Sequence, residues 1–385
     1  MNRRLRWIPA IVATALLAGC SLPSFNKDTE VTTTTKTADQ SQNTESTTIP
    51  SMQIDEQYYR TLLPYKQSAT RGLIVSNIYS RYDIQEAESG LMRLSLNQFP
   101  TDKYYFQEGQ YLTESTVKSW LARSNQDEEG LNPSDKGMSA TKRAKEAPIY
   151  VAHVIEQNYL TKSGDKKVKL GGISIGLALN SVYYYQKEEY GATYEEAIPD
   201  SKLLENGKKI AEKVVNRLRK MDGLGSVPIT VGLYKQLSHK DIVPGTYMAY
   251  STAKEGSSKL SSWESVDETY VRFPTDDTSD TYREINDNFG TFKDNINSYF
   301  TNSTNVIGRG FYEDGKIKKL TIDIPVKFNG TGELIGFVQY AANAVVQQFP
   351  KDLQIEVNVT SSKATEALIV KESGASEPYV HVYND

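Results

Sequence analysis

Val168-Lys169-Leu170-Gly171-Gly172-Ile173-Ser174-Ile175-Gly176-Leu177-Ala178-Leu179 decides the fold. Large apolar residues fall at Ile173, Ile175, Leu177 and Leu179, the two-residue period of a strand. The turn Ser163-Gly164-Asp165-Lys166 separates this run from an earlier one that starts Tyr150-Val151-Ala152-His153-Val154-Ile155, so the pair reads as a hairpin. A helix is expected over 203–221, then a strand over 228–234, a loop with Pro244-Gly245, and a strand over 246–250.

The same succession returns further along. A strand over 306–312 meets Asp314-Gly315, a two-residue hairpin turn whose positions tolerate positive φ. The chain comes back over 317–328, with Leu320, Ile322, Ile324 and Val326 alternating. A helix over 333–349, a strand over 353–359, a loop with Pro378 and a strand over 379–383 follow. Residue identity between the copies is low, so order and spacing carry the comparison. The reading is α+β: two tandem repeated units, each a helix packed on a small, mainly antiparallel sheet, preceded by a helical N-terminal segment.

That segment holds an amphipathic pattern over 84–99, with Ala87, Leu91 and Leu94 on one face. A second helix is expected over 114–123, with Val117, Trp120 and Leu121 inward. Thr113 is its N-cap, and Thr116 stands where Glu would complete a capping box. Residues 126–146 are polar, contain Asn132-Pro133, and read as a linker loop. A helix over 282–300 precedes the second unit. The expected division is therefore 1–19 leader, 20–54 flexible linker, 55–146 N-terminal segment, 147–253 first unit, 254–303 connector and 304–385 second unit.

The leader has its own signature. Arg3, Arg4 and Arg6 precede a mostly apolar run that closes on Leu17-Ala18-Gly19-Cys20. This order is that of a bacterial lipoprotein signal. The run is shorter than the roughly 20 apolar residues of a spanning helix. Cleavage before Cys20 would make it the mature N-terminus, carrying a diacylglyceryl thioether. One acyl chain binds a bilayer only marginally, at about 0.8 kcal/mol per buried CH₂, whereas two anchor stably. Residues 21–51 are rich in Ser, Thr, Gln and Asn and read as a tether that cannot bury a core.

Composition narrows the function. Cys20 is the only cysteine, so neither an intramolecular disulfide nor a thiolate metal site is available. A net charge of −4 argues against nucleic acid as a partner. With 25 Tyr and 3 His, the chain is rich in wet aromatics and poor in the commonest acid–base side chain.

Several local patterns carry a chemical reading beside a plainer one. Gly172-Ile173-Ser174-Ile175-Gly176 spells the hydrolase pattern, but no helix begins at Gly176 and the strand period continues, so Ser174 reads as a strand residue. His153, His239 and His381 show no metal-ligand spacing. Asp276, Asp277 and Asp280 lack the glycine and terminal Glu of a calcium loop. Lys208, Lys209, Lys213, Arg217, Arg219 and Lys220 form either a face for an anionic membrane or a solvated face around an apolar stripe. Tyr183-Tyr184-Tyr185 and Tyr104-Tyr105-Phe106 read as strand packing or as surfaces for a sugar or peptide. No cofactor and no metal are expected.

A resemblance rests on Tyr59-Arg60-Thr61-Leu62-Leu63-Pro64-Tyr65, Gly90-Leu91-Met92, Phe99-Pro100-Thr101-Asp102-Lys103-Tyr104, Gln107-Glu108-Gly109-Gln110-Tyr111-Leu112, Gly130-Leu131-Asn132-Pro133-Ser134, the run from Ile175 to Tyr185, and Glu377-Pro378-Tyr379-Val380-His381-Val382-Tyr383. Together, and in order, these resemble the CamS family, precursors of the cAM373-type sex pheromone in low-GC Gram-positive bacteria. The resemblance implies a membrane lipoprotein with a tandemly repeated body, and a short apolar peptide cut from the leader just before the lipidated cysteine. Here the matching stretch is Ala13-Thr14-Ala15-Leu16-Leu17-Ala18-Gly19, less bulky than the family's Ile- and Phe-rich peptide. The expectation is a non-enzymatic protein held on the extracytoplasmic face of the cell membrane through Cys20. Its body binds an unidentified ligand or envelope protein. A hydrolase of envelope or peptide substrates and a purely structural envelope protein are the competing readings.

Overall fold

The computed structural model describes residues 44–299, 305–327 and 330–383. Among them are seven helices and three sheets. The chain begins with β1 (Thr44–Ser46), α1 (Arg71–Asn77), α2 (Arg81–Ser95), β2 (Tyr105–Glu108), α3 (Glu114–Leu121) and α4 (Ala140–Glu146). A long hairpin, β3 (Val151–Gly164) and β4 (Lys167–Asn180), leads to a short one, β5 (Val182–Gln186) and β6 (Thr193–Ala197). Helix α5 (Asp200–Leu218) and strands β7 (Ile229–Gln236), β8 (Thr246–Ala253) and β9 (Glu264–Ser265) follow. The rest comprises β10 (Glu268–Phe273), α6 (Asp280–Tyr299), β11 (Ile307–Glu313), β12 (Lys316–Pro325), α7 (Thr331–Gln348), β13 (Gln354–Thr360), β14 (Thr365–Lys371) and β15 (Tyr379–Val382).

The fold is mixed α+β. One sheet runs β2-β3-β4-β7-β8-β9, with β1 added on β4, and the other runs β10-β11-β12-β13-β14-β15. Each has one parallel pairing, β4 with β7 and β12 with β13, among antiparallel ones. Those are the strand pairs joined by a crossover helix, α5 or α7, as a parallel connection requires. The turn between β11 and β12 has Asp314 at φ 51° and Gly315 at φ 71°, the backbone expected of Asp-Gly.

Helix faces follow their sequence periods. Helix α5 buries Leu203, Gly207, Ile210, Val214 and Leu218 against the first sheet. Helices α6 and α7 bury Phe289, Phe292, Phe337 and Ala341 against one face of the second. Thr113 accepts from the Thr116 backbone N–H at 3.1 Å and caps α3 as expected.

The first sheet is covered on both faces. Ile173, Ile175, Leu177 and Leu179 join the α5 core, while the small alternate residues face α2. A Cβ added at Gly176 would sit 3.3 Å from Leu91, Ser174 bonds Ser95 at 2.7 Å, and a Cβ at Gly172 would sit 2.2 Å from Phe99. Positions 91 and 95 are about 6 Å apart along the helix and positions 176 and 174 about 6.6 Å apart along the strand, so the two stay in step, and the turn after α2 carries Phe99 on to Gly172.

Three expectations are corrected. The reading passed from β13 directly to the last strand, but β14 intervenes and moves β15 to the sheet edge. Its turn is Ser-rich, closed by Ser361 N–H to Ala364 C=O at 2.8 Å, and lacks a glycine signal. The polar stretch 126–146 is no plain linker, because it contains α4 and a fully buried Asn132. That amide bonds the carbonyls of Leu121 and Val151 and the N–H groups of Tyr150 and Val151. Strand β1 lies inside the stretch read as tether and pairs with 167–169 of β4.

Candidate binding cleft

Helix α2 has a second flank. Opposite it stands the face of the second sheet that α6 and α7 leave uncovered. Alternation puts Val271 and Phe273 in the core and Tyr270 on this outer face, beside Phe311 of β11 and Lys319 of β12. Between α2 and these strands lies a cleft of about 470 Å³. Gln85, Ser89, Met92 and Leu96 form the helix wall, and Arg309, Phe311, Lys319 and Gln354 the sheet wall.

The cleft closes on a buried ionic network. Arg93 donates to Glu268 at 2.7 and 2.6 Å and to Glu86 at 2.6 Å, and Tyr270 donates its hydroxyl to Glu86 at 2.6 Å. The guanidinium also lies 4.7 Å over the Phe311 ring. Burial pushes the Glu86 carboxyl above its ordinary range, with Arg93 opposing. Burial disfavours the Arg93 charge, but its bonds to Glu268 and Glu86 outweigh that and hold it charged. At the sheet wall Lys319 pairs with Glu356 at 2.8 Å. Aromatic floor and charged rim together suit a partly polar ligand.

A smaller cavity of about 140 Å³ lies on the other side of α2, lined by Glu88, Glu108, Arg71 and Tyr65. Glu108 accepts from the Ser68 N–H and from Arg71, both at 2.6 Å, and from the Tyr65 hydroxyl. Burial, then the nearby Glu108 charge, raise the Glu88 carboxyl, and Arg71 works the other way.

The residues singled out in the sequence are scattered. Ser174 is fully buried in mid-strand with Ser95 as its hydroxyl partner. His153 is buried on β3. His239 stacks on Tyr79 at 3.7 Å, and His381 meets Tyr383 edge-on. Asp277 accepts from the Ser279 N–H, and Asp280 pairs with Arg283. No three His, Cys, Asp or Glu among the described residues are grouped to hold a metal ion. On the basic helix, Lys209 pairs with Glu205 and Arg217 with Glu129, so part of that charge is spent inside the protein. Cys20 and Leu17, Ala18 and Gly19 lie outside the described residues. No helix among those described is long and apolar enough to cross a membrane.

The cleft residues were missed although signals existed. Glu86 and Arg93 are two helical turns apart on one face, and Glu268, Tyr270 and Arg272 alternate with core residues.

Comparison with known proteins gives the chain its relatives. A family model described as CamS sex pheromone cAM373 precursor matches residues 65–377. The sex pheromone precursor from Lactobacillus salivarius subsp. salivarius UCC118 is 32% identical, with TM-score 0.81, over 89% of this chain and 100% of that one. The C-terminal domain of the sex pheromone staph-cAM373 precursor from Staphylococcus aureus is 31% identical, with TM-score 0.70, over 80% of this chain and 99% of that one. No curated protein sequence matches. With the family model matched over most of its length, the chain belongs to the CamS sex pheromone cAM373 precursor family.

Proposed function

We propose that the chain is an extracytoplasmic lipoprotein held to the cell membrane by lipid on Cys20, that its leader is the source of a short apolar peptide, and that its folded body is a non-enzymatic binding body. The observation that carries this is the order of basic start, apolar run and Leu17-Ala18-Gly19-Cys20 in a member of a pheromone precursor family. Support for the binding body comes from the cleft between α2 and the second sheet, with its aromatic floor and charged rim. Ser174, sealed beneath α2, offers no exposed nucleophile.

The two sheets are also proposed to be copies of one unit. Support lies in the shared order of hairpin, helix and two strands, broken in the first half by the added β5–β6 hairpin, in the strand and helix that precede each long hairpin, with α4 extra in the first half, and in the shared place of the parallel pairing. Superposing β3, β4, α5, β7 and β8 on β11, β12, α7, β13 and β14 checks this. Helices on opposite sheet faces would reject it.

Cys20→Ala tests the anchor. Labelling with radioactive palmitate is expected to vanish, and the protein to leave the membrane fraction or accumulate uncleaved. Persistent lipid labelling of the variant would overturn the anchor.

A further inference from the structure

We propose that the β5–β6 hairpin is a second binding site, distinct from the α2 cleft, and that it takes a neutral glycan chain across its tyrosine face. The hairpin is an insertion. It sits in the connection from β4 to α5, whereas the equivalent connection from β12 to α7 needs only residues 326–330. It forms a sheet of its own and adds no strand to the two large ones. An isolated two-stranded hairpin is marginally stable, so this one is held from behind. Tyr184 packs on His239, which stacks on Tyr79, and Lys240 pairs with Glu195.

The opposite face is built of rings: Tyr183 packs on the edge of the first core and accepts from Arg123 at 3.3 Å, while Tyr185 is half-buried. Tyr185 and Tyr194 are direct cross-strand partners, and Tyr183 lies two residues before Tyr185 on the same face. The Tyr183 and Tyr185 rings are 6.2 Å apart and within 8° of parallel, and Tyr185 and Tyr194 are 5.6 Å apart at 29°. Tyr194 remains 40% exposed. Helix α4 supplies a wall with Ala140 and Arg143 to an open groove of about 700 Å³ that Tyr183, Tyr184 and Tyr185 line; Tyr194, with the Lys187 ammonium 4.2 Å over its ring, flanks Tyr185 and is not part of that lining.

The lining selects the ligand. No large aliphatic side chain is present to seat a peptide anchor. Arg143 is paired with Asp135 and Lys187 lies over the Tyr194 ring, which leaves Glu188 and Glu189 at the rim and nothing to draw in an anionic chain. A pyranose offers an apolar C–H face to a phenol ring and hydroxyls to Gln186 and the phenol oxygens, and this amphipathic pairing suits tyrosine. The groove is open rather than enclosed, which fits a linear polymer passing over it better than a small molecule.

The test is titration calorimetry of the intact chain in detergent, with hexamers of β-1,4-linked N-acetylglucosamine and of β-1,4-linked glucose, and with a proline-rich peptide. Saturable binding of at least one hexamer is expected, weakened about tenfold by Tyr185→Ala or Tyr194→Ala through the loss of one stacking ring, and less by Tyr185→Phe. Tyr185 and Tyr194 lie outside the two large cores, so circular dichroism of these variants is expected to be unchanged. Failure of both hexamers to bind, binding of the peptide alone, or parental affinity in both alanine variants would overturn the proposal. The Cys20 anchor is not involved, so its failure would leave this site untouched.

Discussion

Arg93 on α2 and Glu268 on β10 meet as a two-pronged pair, Nε to Oε1 at 2.7 Å and Nη2 to Oε2 at 2.6 Å. This contact joins the helix that covers the first sheet to the first strand of the second. Because Glu86 shares the same guanidinium, removing it strands two buried carboxylates.

Arg93→Ala is therefore expected to destabilise the protein by about 3 kcal/mol. Arg93→Lys is expected to recover part of this, since an ammonium lacks the planar fork. Adding Glu86→Gln and Glu268→Gln to Arg93→Met is expected to recover most of it. Urea midpoints at constant slope measure all three, and a midpoint unchanged in Arg93→Ala would sink the idea.

His153 gives the fold a pH dependence. It is fully buried on β3, and burial pushes its imidazole down to about 4 from an ordinary 6.5. Between those values the unfolded chain takes up a proton that the folded one refuses. Stability from this residue is thus full above the unfolded value and is lost as pH falls toward the folded one. The loss approaches about 3 kcal/mol. In His153→Leu the fall in unfolding free energy from urea titrations between about pH 7 and about pH 4.5 is expected to shrink by about 2.5 kcal/mol. An identical fall in both proteins would reject the assignment.

The two long hairpins and helices α2, α3, α5, α6 and α7 were legible because each sets its own period: Ile173 to Leu179 along one strand, Leu320 to Val326 along another, and Asp314-Gly315 between two; α1, α4 and the β5–β6 hairpin were not. What stayed hidden depended on partners distant in sequence. Asn132 is polar in composition but a core residue by its four backbone bonds. The Arg93–Glu268 pair spans 175 positions, and no local pattern announces such a contact. Strand β14 escaped because its turn is built from serine rather than glycine. The cleft inherits this obscurity, since its walls come from α2 and from the opposite end of the chain.

Arg219 shows how a basic residue read as solvated face serves the interior. At the end of α5 it donates to the carbonyls of Ser257 at 2.8 Å, Leu224 at 2.7 Å, Val227 at 2.5 Å and Lys254 at 2.9 Å. Arg219→Ala leaves these oxygens short of donors and is expected to cost about 2 kcal/mol. Arg219→Lys is expected to restore less than half, because one ammonium cannot reach carbonyls on both sides. Thermal melting of the variants decides it, and a lysine variant as stable as the parent would contradict the clamp.

The Gly-x-Ser-x-Gly stretch makes the sharpest contrast between chemistry and packing. If its glycines serve a catalytic turn, Ser174 matters most and Gly172 least for activity. If they let α2 approach β4, Gly172 matters most for stability. The geometry supports the second: an added Cβ at Gly172 would sit 2.2 Å from Phe99, and one at Gly176 would sit 2.6 Å from the Tyr247 hydroxyl. Gly172→Ala must displace a buried ring and is expected to cost about 2 kcal/mol. Ser174→Ala removes the hydroxyl bonded to Ser95, at about 1 kcal/mol, and leaves the backbone untouched. A fluorophosphonate probe is expected not to label Ser174, which has no solvent access. Urea unfolding of both variants, with mass spectrometry of the probe-treated parent, separates the readings. A covalent adduct on Ser174, or a Gly172→Ala protein as stable as the parent, would restore the catalytic one.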